Sequence, residues 1–398
     1  MNPRLHFAFL NAGHFFDHLF MLVYATVAAL ALTKEWNLSY AELIPYATPG
    51  FVAFGVCAIP AGWLADKWSR HGMMAIFFIG IGASSIVTAL AQSPLAIGAG
   101  LLAIGVFAAI YHPVGLALVV ADRARTGMAL AVNGVFGNLG VACAALIAGF
   151  LIDNAGWRAA FVWPGVVSIA VGLAYVTLIA RGRRRAGAGS GAAKRAPARA
   201  AVALPRRELM RAFGVVLVST AIGGLVFQST TFALPKVFDE RLGALAVSAT
   251  LIGWYAFVVF ALAALGQLVV GFLVDRYSLR SVFMTVAALQ AVLLFAMIQL
   301  DGWAALLIAT AFMLAVFGQI PINDVLVGRI AHSDWRSRVY AMRYIVTFSV
   351  MALSVPMIAW IYAVWGFGTL FMVLAVAVVV IFATVCLLPA AAARPVAA

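Results

Sequence analysis

Residues 62–69 have the sequence GWLADKWS, and residues 271–278 have the closely similar sequence GFLVDRYS. The two stretches begin 209 residues apart, and each lies between long apolar runs. At nearly the same offset, His112-Pro113 in the first part of the chain corresponds to Ile320-Pro321 in the second. A long repeat with several apolar segments in each copy predicts a membrane protein built from two related halves.

The composition supports this interpretation. Of the 398 residues, 65% are hydrophobic and 10% are charged, whereas roughly a quarter of the residues in a soluble domain are charged. Lipid accommodates such an apolar surface if the backbone polar groups pair internally, as they do in a helix. The short alternating segments of a β-barrel are absent from the sequence. We therefore predict an all-α membrane protein.

A spanning helix requires about 20 apolar residues, and the sequence predicts twelve such helices. They are expected at residues 7–32, 41–65, 73–91, 94–120, 127–152, 157–180, 212–237, 247–274, 281–300, 303–330, 339–364 and 366–388. Residues 1–180 and 212–398 would each form a six-helix bundle. The basic stretch 181–211 is rich in Ala, Gly, Pro and Arg, so we expect a flexible cytoplasmic linker that contacts anionic lipid headgroups.

The distribution of positive charge predicts the orientation in the membrane. If both termini are cytoplasmic, 22 of the 26 Lys and Arg residues lie inside. The four outside are Lys34, Arg158, Lys236 and Arg241. Because cationic loops resist translocation, this bias predicts cytoplasmic termini in a bacterial inner membrane. The net charge of +13 is then mostly an insertion signal, and we expect no nucleic-acid partner.

The repeated stretch Gly-x-Leu-x-Asp-Lys/Arg-x-Ser resembles the signature loop of the major facilitator superfamily, although Ser69 stands where the family usually has glycine. Gly156-Trp157-Arg158, followed by Phe161, is similar to the family's entry to helix 6. This resemblance covers the whole chain. It implies two six-helix bundles that transport a small molecule by alternating access.

The same resemblance implies a cytoplasmic gate at the ends of neighbouring helices. Its residues would be Gly62, Asp66, Lys67 and Arg70, with the counterparts Gly271, Asp275, Arg276 and Arg280. A solvated basic loop that only sets the topology would explain Lys67 and Arg70 equally well.

A second, narrower resemblance concerns the first half. Residues 109–113 (AIYHP), the Arg125-x-Gly127 pair and residues 134–140 (GVFGNLG) are similar to the fosmidomycin-resistance type of drug exporter. That family also has a His-Phe pair in helix 1, matched by His14-Phe15. Its acidic residue is displaced here, and the second half matches only loosely. The resemblance implies efflux by an antiporter.

Polar residues within the first helix are candidates for the coupling chemistry, because an ionisable group at membrane depth costs roughly 2.5 kcal/mol or more. His14, Asp17 and His18 fall on one helical face, and Met21 continues it. Imidazole titrates near neutral pH. We predict that Asp17, with His14 or His18, exchanges the coupling proton. A transition-metal site at the same three residues is an alternative.

The superfamily resemblance places helices 1, 4, 7 and 10 around a central cavity. It implies a substrate site formed by Tyr111, His112, Gln228, Ser229, Thr230, Gln319, Asn323 and Asp324. His14 and His112 could instead only brace the helices, and Asp324 could pair with Arg329 or Arg343 as a gate. Because Arg343 is the only arginine expected well within a helix, a neutral, amphiphilic or cationic substrate is favoured over a strongly anionic one.

The leading hypothesis for function is proton-coupled export of a small organic molecule. Proton-driven uptake of a nutrient and transport of a transition metal or metal complex are the alternatives. The sequence contains no nucleotide-binding loop or catalytic triad, so we expect no enzyme activity and no cofactor. The expected partners are the substrate, protons and the lipid bilayer, with the chain acting as a monomer.

Overall fold

The computed structural model describes residues 2–121, 126–185, 205–330 and 336–390. Within these ranges the chain is helical, with no strand. Eleven helices in these ranges are long and apolar enough to cross a membrane. They are α1 (Pro3–Glu35), α2 (Tyr40–Lys67), α3 (Arg70–Thr88), α4 (Pro94–Val120), α5 (Thr126–Ala155), α6 (Ala159–Arg185), α7 (Arg206–Arg241), α8 (Ala249–Arg276), α9 (Leu279–Gln299), α10 (Gly302–Ile330) and α11 (Arg336–Val385).

Short polar motifs determine where several helices begin. Ser39 and Glu42 form a reciprocal capping box at the start of α2, which pairs backbone N–H groups that the first turn leaves without partners. Ser93 accepts a hydrogen bond from the Ala96 amide, and Pro94 follows it as the first residue of α4. Proline suits this position because its fixed φ matches the helix and no amide hydrogen is needed there. These motifs allow very short connections between membrane-crossing helices.

The last helical segment, α11, is 50 residues long, but its backbone is not helical at Gly366. There φ is 75° and ψ is −176°, a conformation that residues with a β-carbon rarely adopt. Two helices therefore join at Gly366, next to the boundary between the predicted helices 339–364 and 366–388.

The described residues divide into two compact units. The first contains α1 to α6 and the beginning of α8, Ser248–Phe257, whereas the second contains α7, the rest of α8 and α9 to α11. Asp153 at the end of α5 accepts hydrogen bonds from the backbone amides of Ala249 (3.3 Å) and Thr250 (2.7 Å), which anchors the start of α8 in the first unit. Residues 186–204 of the expected linker fall outside the described residues, so the domain limits at 180 and 212 stay a prediction.

Within the first unit, α1 packs on α5, α3 on α6 and α2 on α4. Glu35 at the end of α1 accepts hydrogen bonds from the indole N–H of Trp157 and from the Arg158 guanidinium (3.0 Å). The Gly156-Trp157-Arg158 stretch thus ties the start of α6 to the end of α1. Within the second unit, α7 and α9 both pack on α11.

Candidate functional site

Four ionisable side chains meet inside the first unit, and we call them the histidine cluster: His14, Asp17 and His18 from α1, and His112 from α4. Asp17 lies near the middle of α1 and is fully buried. Its Oδ2 is 3.2 Å from His112 Nε2. The ring centroids of the three histidines are 5.0 to 5.7 Å apart. The structure therefore brings together residues that are distant in the sequence.

Local helix geometry presents these side chains to one another. His14, Asp17 and His18 share a face of α1 because residues three and four positions apart are neighbours on a helix. His112 lies in a π-helical turn of α4, Tyr111–Gly115. The next residue, Pro113, has no amide hydrogen to donate to the preceding turn. Wide turns of this type occur frequently at functional sites.

A buried hydrogen-bond network lies next to the cluster. The Tyr111 hydroxyl donates to the Leu10 carbonyl (2.8 Å), and the Asn133 amide on α5 donates to the Tyr111 hydroxyl (2.9 Å). The same amide donates to Asn11 Oδ1 (3.0 Å). The Tyr111 ring stacks on His14 with centroids 4.9 Å apart. This network ties α1, α4 and α5 together around the site.

The backbone of α5 determines the tautomer of His14. His14 Nδ1 lies 2.8 Å from the Asn133 carbonyl oxygen, and a carbonyl can only accept, so Nδ1 carries the hydrogen. In the neutral ring, Nε2 then has a free lone pair. This Nε2 is buried and has no hydrogen-bond partner in the part of the chain that the structure describes. A β-carbon at Gly137 would lie 2.7 Å from Cε1 and Nε2 and 2.9 Å from Cδ2 of His14, so glycine allows the face of this ring to pack directly against α5.

The polar residues predicted for substrate binding on α7 and α10 belong to the second unit. Asn323 Oδ1 accepts a hydrogen bond from the Ser219 hydroxyl (2.8 Å), and Gln319 Nε2 donates to the Ser219 carbonyl (3.4 Å). Gln228 is buried on α7. These contacts place Gln319 and Asn323 together beside α7.

Three further residues predicted to bind substrate do not take part in these contacts between α7 and α10. Ser229 and Thr230 border a small space that is otherwise lined by apolar side chains such as Phe312. Thr230 also donates to the Val226 carbonyl of its own helix (2.7 Å). Asp324 is exposed.

The two copies of the predicted gate motif differ in their contacts. In the first copy, Arg70 and Asp66 form an exposed ion pair of 2.7 Å, and Lys67 is exposed. A β-carbon at Gly62 would lie 3.3 Å from Pro113 Cβ, so α2 approaches α4 closely.

In the second copy, no ion pair joins Asp275 to Arg280 within the described ranges, and the Arg276 guanidinium instead lies 4.2 Å over the Phe272 ring. Gly271 has no described neighbour within 4 Å of an added β-carbon, apart from its own helix and the adjoining residues. The sequence repeat is therefore not matched by a repeat of these contacts.

The family model of the Major Facilitator Superfamily matches residues 10–244 and 216–397. The chain belongs to this superfamily. The family and its solved relatives are transporters, so this member is a multi-pass membrane transporter and not an enzyme.

Solved superfamily structures have the same fold. A bacterial homolog of the human lysosomal transporter Spinster, in an inward-facing and occupied conformation, is 17% identical, with a TM-score of 0.71 over 97% of this chain and 94% of that chain. A D-xylose-proton symporter is 14% identical, with a TM-score of 0.68 over 94% of this chain and 96% of that one. A POT family transporter with a thioalcohol-conjugated peptide is 12% identical, with a TM-score of 0.69 over 94% of both chains.

A gallate transporter of Pseudomonas putida is 24% identical over 145 residues. The matched stretch covers 36% of this chain and 32% of that relative. This similarity is therefore local.

Three site residues of this superfamily member were not predicted as functional: Asn11, Asn133 and Gly137. Asn133 had a detectable signal, because an amide inside an apolar helix is costly unless it is paired, and it directly precedes the glycine-rich stretch 134–140. Its partners could not be predicted, since they lie on other helices.

Proposed function

We propose that this transporter exports a small organic molecule in exchange for protons, and that the histidine cluster exchanges the coupling proton. The observation that carries the proposal is the contact of 3.2 Å between the fully buried Asp17 and His112 Nε2. From the sequence we predicted that Asp17 acts together with His14 or His18. In the structure, His112 is its direct neighbour.

The chemistry of this contact suits proton exchange. A carboxylate near the middle of a membrane helix costs roughly 2.5–3.5 kcal/mol by insertion scales, so it is retained where it has a partner or a function. Asp17 and His112 can hold one proton between them, and His14 and His18 are close enough to pass a proton on. His18 and His112 are only partly buried, so the cluster is not fully enclosed by the bundle. A protonation site inside one bundle can load and release its proton as the two halves rock between conformations.

The complete proposal includes twelve spans with both termini in the cytoplasm of a bacterial inner membrane. Gly366 divides α11 into two helices, and the strong positive bias of the predicted cytoplasmic loops supports the orientation. Tyr111, Gln228, Gln319 and Asn323 remain proposed substrate contacts. The exposed Asp66–Arg70 pair remains a proposed part of the gate.

Two similarities favour different candidate functions. The likeness of the first half to fosmidomycin-resistance exporters favours export of a drug-like molecule. The local match to a gallate transporter favours a second candidate, transport of a small aromatic carboxylate. In that case a protonated imidazole of the cluster could pair with the substrate's carboxylate, because the first unit offers few other cations at membrane depth.

The test is gradient-driven transport in proteoliposomes, with fosmidomycin and gallate as the two probes. For the transported probe, we expect Asp17→Asn to reduce pH-gradient-driven flux to the level of empty liposomes, because the variant cannot exchange a proton at this position. Exchange of labelled for unlabelled probe without a gradient should persist. Asp301→Asn, at an exposed position, serves as the matched control with normal flux. Unchanged gradient-driven flux in Asp17→Asn would refute the coupling role.

A further inference from the structure

One nitrogen atom from each of His14, His18 and His112 lies within 4.8 Å of the other two. The Asp17 carboxylate contacts one of them, His112, at 3.2 Å. We propose that these three histidines, with Asp17 holding His112 in place, bind one divalent transition-metal ion of the Zn²⁺ or Co²⁺ type. The inference rests on the proposed function only in that it uses the same histidine cluster. Ion binding can be measured without transport, so the two proposals can fail separately.

The donor set suits such an ion. Imidazole nitrogen is a common ligand of Zn²⁺, which favours four ligands in a tetrahedron, and three histidines leave the fourth position to water. Zn–N bonds of about 2.0–2.1 Å would place two ligand nitrogens about 3.3 Å apart in that geometry. The separations of up to 4.8 Å therefore require the rings to move inward by about 1 Å on binding. Rotation of histidine side chains about their own bonds supplies movements of this size without moving the helices.

His14 has the hydrogen-bond arrangement of a metal ligand. Metal-binding histidines usually donate their second ring N–H to a carbonyl or a carboxylate, which fixes the tautomer and aims the other nitrogen. The Asn133 carbonyl does this for His14 Nδ1 at 2.8 Å. The opposite nitrogen, Nε2, is buried and lacks a hydrogen-bond partner among the residues that the structure describes. A buried lone pair without a partner is costly, and an ion would satisfy it.

The cluster is not fully enclosed. Gly137 packs against the face of the His14 ring, where a β-carbon would lie 2.7 Å from Cε1 and Nε2, so a larger residue there would displace the ring. The His112 side chain retains 16% of its exposure, and His18 is also only partly buried. An ion could therefore reach the cluster past these two rings. Because the ion and the proton use the same lone pairs, each should displace the other.

The experiment uses the full-length protein, purified in detergent with an affinity tag that contains no histidine and stripped of metal by a chelator. Zn²⁺ binding is measured by calorimetry and Co²⁺ binding by visible absorption. We expect one ion per chain and the intense absorption of tetrahedral Co²⁺. His14→Ala, His18→Ala and His112→Ala should each weaken Zn²⁺ binding by about 100-fold or more, since loss of a supporting residue alone typically costs 10–100-fold.

Two matched comparisons separate this site from nonspecific binding. Gly137→Ala keeps every histidine but pushes the His14 ring out of position, so it should weaken binding, whereas Gly134→Ala, which meets nothing within 4 Å, should not. A His6→Ala/His71→Ala variant removes histidines outside the cluster and should bind normally.

Unchanged Zn²⁺ affinity in all three single histidine variants would overturn the proposal, as would loss of binding in His6→Ala/His71→Ala. Gly137→Ala and Gly134→Ala are included because a histidine variant could fail to fold, and equal binding by these two would also count against the site. Failure of metal binding together with proton-coupled flux in the wild type would remove the metal site and leave the proposed function intact.

Discussion

Tyr111 supports the histidine cluster through two different parts of its side chain. Its ring stacks on His14, while its hydroxyl connects Asn133 to the Leu10 carbonyl. The ring restricts the position of the imidazole, and the hydroxyl links three helices. Removing the hydroxyl alone therefore tests the network without removing the stacking.

We predict that Tyr111→Phe lowers the free energy of unfolding by about 1–3 kcal/mol, because the buried Leu10 carbonyl and Asn133 amide lose a partner. Thermal unfolding of the purified protein in detergent measures the change. Tyr277→Phe is the control, since Tyr277 is largely exposed and its hydroxyl should contribute little. Equal unfolding temperatures for Tyr111→Phe and the wild type would show that the network does not stabilise the bundle.

At the scale of elements, the join within α11 depends on one backbone conformation. Gly366 has φ 75° and ψ −176°, a region that is essentially restricted to glycine. The join allows the chain to end one helix and start another without a loop. A residue with a β-carbon would oppose this turn.

We expect Gly366→Ala to destabilise the protein by about 1–3 kcal/mol because of backbone strain. Gly214→Ala is the matched control, as Gly214 lies within α7 with open space around an added β-carbon. Alanine there should be neutral or stabilising by up to about 1 kcal/mol, because alanine favours the helix more than glycine does. Thermal unfolding of both variants provides the comparison, and a Gly366→Ala protein as stable as Gly214→Ala would contradict the strain argument.

At the scale of the whole molecule, the proposed orientation gives opposite labelling patterns for two exposed lysines. Lys34 lies at the end of α1 and Lys67 at the end of α2. In a background with Cys57, Cys143 and Cys386 replaced by serine, a membrane-impermeant maleimide on intact cells should label Lys34→Cys and spare Lys67→Cys. The positive bias of the predicted cytoplasmic loops is the physical reason. Inverted vesicles should give the reverse pattern, and labelling of Lys67→Cys on intact cells would reject the orientation.

The sequence by itself determined the helical class of the protein, its superfamily and the join at Gly366. These features follow from local properties. An apolar run long enough to span lipid forms a helix, and a sequence motif or a glycine determines the backbone conformation at its own position. The same reasoning marked His14, Asp17 and His18, since they interrupt an apolar helix.

Only the tertiary structure decided which groups meet. His14 and the Asn133 carbonyl are 119 positions apart, and Asp17 contacts His112 of another helix. Periodicity places a residue on a face of its own helix, but it does not determine which neighbouring helix packs there or with what rotation. The partner of Asp17, the tautomer of His14 and the close approach of Gly137 to the His14 ring depend on that packing. The chemistry proposed for this transporter therefore rests on side chains that the sequence identified in part and that only the packed bundle brings together.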